Sequence, residues 1–429
     1  MHVTRWVIEF PRSPAKELPV SFSCKSLICV VALVCAGTLT AQESLTQKEA
    51  VSAVTTVTPA AWVYVQTSKG VNVYDASASG QLTLVKGSPF ADSGAMEGHN
   101  GKYLLVVGTD YLHSYAIGAN GAVGAQVSQI NTQSYSGSEC GNTDSSGAIL
   151  DHTGSFFYVQ LAGASYNGGE DTTCAAWQTY KIGSNGAFTF LGANELGYGF
   201  DSTALSSSVP TFSSNDNFTY GEYFTAFAPV YAAFQRDSTG VLEQNANFTN
   251  NSPTPDPSPA NSDNNYFPEV TVADPNGHLA IAMSQSFSTL YPLPAMQLAS
   301  YTINSKGAIA TTNTWANMPT LPWNQDNFIG MNMSPAGNLL AVSGLTGLKI
   351  YHFNGAAPIT SYSSVLLPGV EVDELAWDKS NHLYALSYSK GLYVFTVTPT
   401  SISEVAGSPY KIANPTGVNG VKDLIVVPK

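Results

Sequence analysis

The sequence predicts an all-β protein, a seven-bladed β-propeller whose ring is closed by a C-terminal strand that completes the first blade. Three observations carry this expectation. The composition favours strands and turns, with 37 Gly, 24 Pro and 22 Tyr against only 11% charged residues. It lacks the long Glu, Lys, Ala and Leu runs that amphipathic helices need. A turn-and-strand element recurs along the chain, and each copy is followed by a second element of its own.

The first element is a tight turn leading into an alternating strand. It reads Gly98-His-Asn-Gly-Lys-Tyr, Asp151-His-Thr-Gly-Ser-Phe, Asp274-Pro-Asn-Gly-His-Leu, Ser334-Pro-Ala-Gly-Asn-Leu and Asp378-Lys-Ser-Asn-His-Leu, with a degenerate copy at Ser213-Ser-Asn-Asp-Asn-Phe. Gly or Asn stands where the turn needs a positive φ. The second element is a strand of aromatic and β-branched residues followed by a Gly-containing hairpin. Its copies begin at Val71, His113, Gln178, Tyr231, Ala299, Leu348 and Leu392.

The missing seventh copy of the first element comes from the C-terminus. There Val421-Lys-Asp-Leu-Ile-Val-Val matches Val372-Asp-Glu-Leu-Ala-Trp-Asp. Residues 419–428 are therefore expected to pair beside the strand at Trp62, which closes the ring and removes an exposed edge. A two-sheet sandwich does not explain seven paired copies.

Residues 1–41 read as a signal peptide. Arg5, Arg12, Lys16 and Lys25 precede an apolar run from Leu27 to Gly37, and small residues lead to Ala41. That run is too short to span a bilayer. A flexible segment, 42–58, is expected to follow, and then a single propeller over 59–429. Periplasmic or secreted localisation follows, with no transmembrane segment in the mature chain and a monomeric state. Export leaves Cys140 and Cys174, a pair expected to form one disulfide in an oxidising compartment. The net charge of −13 excludes nucleic acid as a partner, since phosphate binding needs clustered Lys and Arg.

Gly80-Gln-Leu-Thr-Leu-Val-Lys-Gly-Ser-Pro-Phe, repeated as Glu404-Val-Ala-Gly-Ser-Pro-Tyr, resembles the strand endings of bacterial lactonase-like propellers of the 6-phosphogluconolactonase type. The resemblance covers essentially the whole mature chain. It implies a seven-bladed propeller and, for an enzyme, lactone hydrolysis.

In such a ring the inter-blade connections open on one face, with long aromatic insertions including 246–268 and 311–328. Aligning the copies on their turns gives one opening position per inner strand: Ser93, Ser146, Ser208, Glu269, Ile329, Asp373 and Lys422. These are expected to ring the channel mouth, with Asp326, Asn327 and the ring of Trp323 close by. Glu269 and Asp373 are candidate general bases. Lys422, Asp326, Asn327, Trp323, Ser93 and Ser146 are candidate ligand contacts, and Ca²⁺ is a candidate ion for the carboxylates.

The histidines are expected in turns and on third strands, away from the mouth. A phosphorylated ligand wants Arg or clustered Lys, yet the only arginine after residue 41 is Arg236, on the opposite face. The expected ligand is thus a neutral, carbohydrate-like molecule or lactone. The alternative is a non-catalytic scaffold that holds a protein or polysaccharide on the same loops.

Overall fold

The computed structural model describes residues 60–429, except 92–93, 109, 133–142, 168–169, 196–202, 206–209, 226–228, 246–265, 286–294 and 413–423. Seven small antiparallel sheets form the ring of a propeller. From the channel outward, blade 1 consists of Leu424–Pro428, Ala61–Thr67, Gly70–Ala76 and Leu82–Leu84. The ring therefore closes with its last strand, as the sequence predicts. Trp62 pairs with Val427 and Val65 with Leu424. The closure is reinforced at its end, where Lys429 N donates to Ala60 O and its ammonium lies 3.8 Å from the Trp62 ring centre.

Blades 2, 3, 6 and 7 begin at the inner strands Ala95–His99, Thr143–Leu150, Phe328–Met333 and Glu374–Trp377, each four strands deep. Blades 4 and 5 differ by interruption. In blade 4, Thr203–Leu205 and Thr211–Phe212 both pair along Phe218–Thr225. In blade 5, whose inner strand is Tyr266–Ala273, Ile309–Ala310 and Thr320–Asn324 both pair with Ala295–Ile303. The inserted segments break one strand position into two pieces without adding a blade.

The recurring glycines have a physical cause that lies between blades. In every blade but the sixth, a ring at the start of the second strand sits beneath the outer hairpin of the next blade. A Cβ on Gly121 would lie 2.3 Å from the Trp62 ring, and one on Gly240 would lie 2.3 Å from Phe156. The same relation joins Tyr103 to Gly186, Phe218 to Gly307 and His382 to Gly80. Both sampled glycines also hold positive φ, +79° and +99°, so any side chain is excluded twice.

Two residues further along the strand, a buried tyrosine donates to that glycine's carbonyl. Tyr64 reaches Gly121 O at 2.6 Å, while Tyr158 and Tyr220 reach Gly240 O and Gly307 O at 2.8 Å. Burial pushes all three phenols above their usual range, so they stay neutral donors. Between sheets the core consists of apolar clusters such as Leu105, Ala148, Phe157, Val159 and Tyr180, shared by blades 2 and 3. Among the described residues no helix is long and apolar enough to cross a membrane.

Candidate functional site

A cavity of about 510 Å³ occupies the channel where the inner strands of blades 6, 7, 1 and 2 face one another. Ile329, Gly330 and Met331 come from blade 6, and Leu424, Ile425 and Val426 from the closing strand of blade 1. Against these apolar walls stand Asp373 and Glu374 of blade 7, Glu97 and His99 of blade 2, and Ser343. Among the described lining residues there is no lysine or arginine.

Side chains tie the inner strands together around this space. Trp377 Nε1 donates to Asn332 O at 3.2 Å, and Asn332 Nδ2 donates to Leu375 O at 3.1 Å. Leu424 N donates to Glu374 Oε2 at 2.9 Å, joining blade 7 to the closing strand. Asp373 Oδ2 accepts from Tyr388 N at 2.8 Å. That bond fixes one carboxyl oxygen.

Glu269 occupies a β-bulge between Pro268 and Val270 on the inner strand of blade 5. Its carboxyl receives a very short hydrogen bond from Ser284 Oγ and another from Gln325. Burial pushes it above the usual carboxylate range, and those two donors only partly offset the shift. It is not among the lining residues of the cavity, so the two carboxylates paired in the sequence analysis have different surroundings.

The neighbouring expectations are distributed as follows. Asp326 is exposed in the short 3₁₀ turn Gln325–Asn327. Asn327 is held by Asn324, whose Oδ1 accepts from Asn327 N at 3.2 Å and from Nδ2 at 2.6 Å. Trp323, expected to offer its ring to a ligand, is 2% exposed; its Nε1 donates to Thr346 Oγ1, and Gly344 lies against the ring. It supports the loop from beneath. Ser146 takes the bulge of blade 3, between Ser145 and Gly147. Ser93, Ser208, Lys422 and Cys140 lie outside the described residues, and Cys174 falls in the strand Glu170–Ile182.

Blade 2 corrects the turn alignment. Asn100 N donates to Tyr103 O, so the loop is two residues, whereas Asp151 N reaches across to Phe156 O in blade 3. The tighter loop moves the inner strand by two positions. Ala95 becomes the counterpart of Ser146, and His99 leaves the turn to end the inner strand and line the cavity. The same shift brings in Glu97, which turn alignment overlooked. The Asn100-Gly101 pair, a strong signal for a two-residue turn, was the available clue.

Three of the other histidines pair with carboxylates of the turns. Asp378 accepts from His382 at 2.7 Å and from the Tyr384 hydroxyl at 3.0 Å. Burial favours its neutral form, but these donors prevail and hold the carboxyl below its usual range. His278 pairs with Asp274 at 2.9 Å and His152 with Asp216 at 2.6 Å. Among the described residues no group of three or more His, Cys, Asp or Glu side chains is arranged to hold a metal ion.

No family profile and no curated protein matches the chain. Solved structures do. The periplasmic gluconolactonase PpgL of Pseudomonas aeruginosa superposes with a TM-score of 0.54 at 13% identity, over 86% of this chain and 99% of that one. A Bacteroides uniformis protein, provisionally assigned as a 6-phosphogluconolactonase, gives 0.54 at 12% identity, over 81% and 95%. A functionally unknown protein of Desulfotomaculum acetoxidans gives 0.51 at 12%, over 85% and 98%. The shared fold is that of a β-propeller, seven-bladed in this chain. At these identities the likeness is one of architecture, and this chain's chemistry rests on its own residues.

Proposed function

We propose that this lactonase-like propeller is an exported hydrolase of uncharged lactones, acting in the channel cavity with Asp373 as general base. The observation that carries the reading is the cavity itself: a carboxyl with one fixed oxygen, set among apolar walls and hydroxyl-binding groups, with no cationic side chain among its described lining residues. The volume suits a small-molecule ligand. Asp373 takes a proton from water as the water oxygen bonds to the lactone carbonyl carbon. The bond from that carbon to the ring oxygen then breaks, and the proton passes to the departing alkoxide. The product is an open hydroxy acid.

A phosphate ester finds no bidentate or ammonium donor in the described wall. The gluconolactonase activity in the name of the Pseudomonas protein is compatible with this reading. A panel of aldonolactones, simple lactones and a phosphorylated lactone tests it, each assayed with Ca²⁺ and with a chelator. Turnover of uncharged lactones above the spontaneous rate is expected. Silence across the panel would replace the hydrolase with the scaffold reading, in which the loop face holds a protein or polysaccharide.

Export carries its own consequence. The basic and apolar pattern of residues 1–41 supports removal of that segment, and Cys140 with Cys174 supports one disulfide in the mature form. Intact-mass measurement of the exported chain, with and without reduction before alkylation, is expected to show the shorter chain and no free thiol. Two alkylated thiols without reduction would refute the disulfide and weaken the compartment assignment.

A further inference from the structure

We infer that Glu97 is the specificity-determining residue of the cavity, and that it selects polyhydroxylated lactones by accepting hydrogen bonds from ligand hydroxyls. The inference rests on the lactonase reading of the same cavity and names its substrate class.

The geometry that brings Glu97 there is particular to blade 2. Inner strands of blades 3, 5 and 6 each carry a bulge five residues before their turn residue, at Ser146, Glu269 and Ile329. The bulge of blade 2 falls between Met96 and Gly98, three residues before Asn100. It therefore lies two positions deeper in the channel than its counterparts. A bulge takes one residue out of the ladder and re-aims its side chain. Here the re-aimed residue is Glu97, 3% exposed and among the residues that line the cavity.

A carboxyl offers two oxygens with about four lone-pair positions, so one engaged by the protein still has capacity for a ligand. Asp373 and Glu97 sit on blades 7 and 2, to either side of the apolar strand Leu424–Val426. That order of polar, apolar and polar wall complements a sugar lactone, whose C–H faces are apolar and whose hydroxyls project from the rim. An unsubstituted lactone satisfies the apolar strand and leaves Glu97 without its ligand partner. The hydroxylated lactone gains that hydrogen bond and the unsubstituted one does not, which is the source of the discrimination.

The experiment compares glucono-1,5-lactone with δ-valerolactone in the wild type, Glu97→Ala and Glu97→Gln, and adds calorimetric binding of the non-hydrolysable glucono-1,5-lactam. Wild type is expected to prefer the hydroxylated lactone in kcat/KM. Glu97→Ala should reduce that preference about 10–100-fold, the weight of one hydrogen bond to a carboxyl group. Glu97→Gln, which keeps an acceptor oxygen, should recover part of it. A preference unchanged in Glu97→Ala overturns the inference while leaving the hydrolase standing. If wild type hydrolyses neither lactone, the hydrolase reading falls and the lactam decides: weaker lactam binding in Glu97→Ala sustains the role of Glu97, and equal binding overturns it.

Discussion

Replacing Arg236 with Met is expected to lower the free energy of unfolding by about 3–5 kcal/mol, because it strands a buried carboxylate. Arg236 Nη2 lies 3.2 Å from Asp151 Oδ2, where the two side chains are 15% and 0% exposed. Asp151 is also the turn residue of blade 3. Its Oδ1 accepts from Ser155 N at 2.8 Å and from Phe156 N at 2.9 Å, and its Oδ2 accepts from Thr153 Oγ1 at 2.6 Å. Those neutral donors orient the carboxylate, while the charge is balanced from blade 4.

The guanidinium also lies over Phe156, Tyr158 and Phe212, at 4.9, 5.7 and 5.4 Å from their ring centres. Methionine has the volume to stay against these rings, so the loss reports the charge and its cation–π contacts more than a cavity. Urea unfolding measures the loss. Arg236→Met combined with Asp151→Asn should recover much of it, since the stranded charge is then gone. A single-variant loss below about 1 kcal/mol would mean that the pair behaves as a surface bridge.

Arg236 illustrates what the sequence makes legible. Its place in a blade-four hairpin, on the face away from the loops, follows from counting repeats. Its partner does not, because Asp151 belongs to the previous blade and nothing local links the two. The same holds for the glycine hairpins: each Gly is visible, but the Trp62 or Phe156 ring that excludes a Cβ lies 59 or 84 residues earlier in the chain. Seven blades and the closing strand were readable because the repeat is long, periodic and strand-forming. The cavity was less so. A two-residue loop at Asn100 and a displaced bulge at Glu97 shift side chains by one or two positions, and period-two patterning gives no warning of such shifts. Asp373 was placed at the channel by its turn count, and it lines the cavity. Glu97 and His99 line it too, but the shorter loop of blade 2 kept the turn count from placing them there.

The largest effect on activity is expected at Asp373. Asp373→Asn should lower kcat/KM for an uncharged lactone about 10²–10⁴-fold, the range that a positioned general base supplies. Stability should change by less than about 1 kcal/mol, because an amide oxygen can still accept from Tyr388 N. The separation of the two readouts matters, since a residue that merely held the strand would lose stability and rate together. Glu269→Gln is the matched comparison. Burial raises the pKa of that carboxyl, so if Glu269 acted as the base, the rising limb of kcat/KM with pH would lie above the usual carboxylate range and vanish in Glu269→Gln. With Asp373 as the base, Glu269→Gln leaves the limb in place and changes its height by a small factor. A flattened profile in Glu269→Gln beside a normal one in Asp373→Asn would move the chemistry from the blade 7 wall to the Ser284–Glu269–Gln325 cluster of blade 5. That result would leave the cavity as the place where the ligand is held but not where its bond is broken.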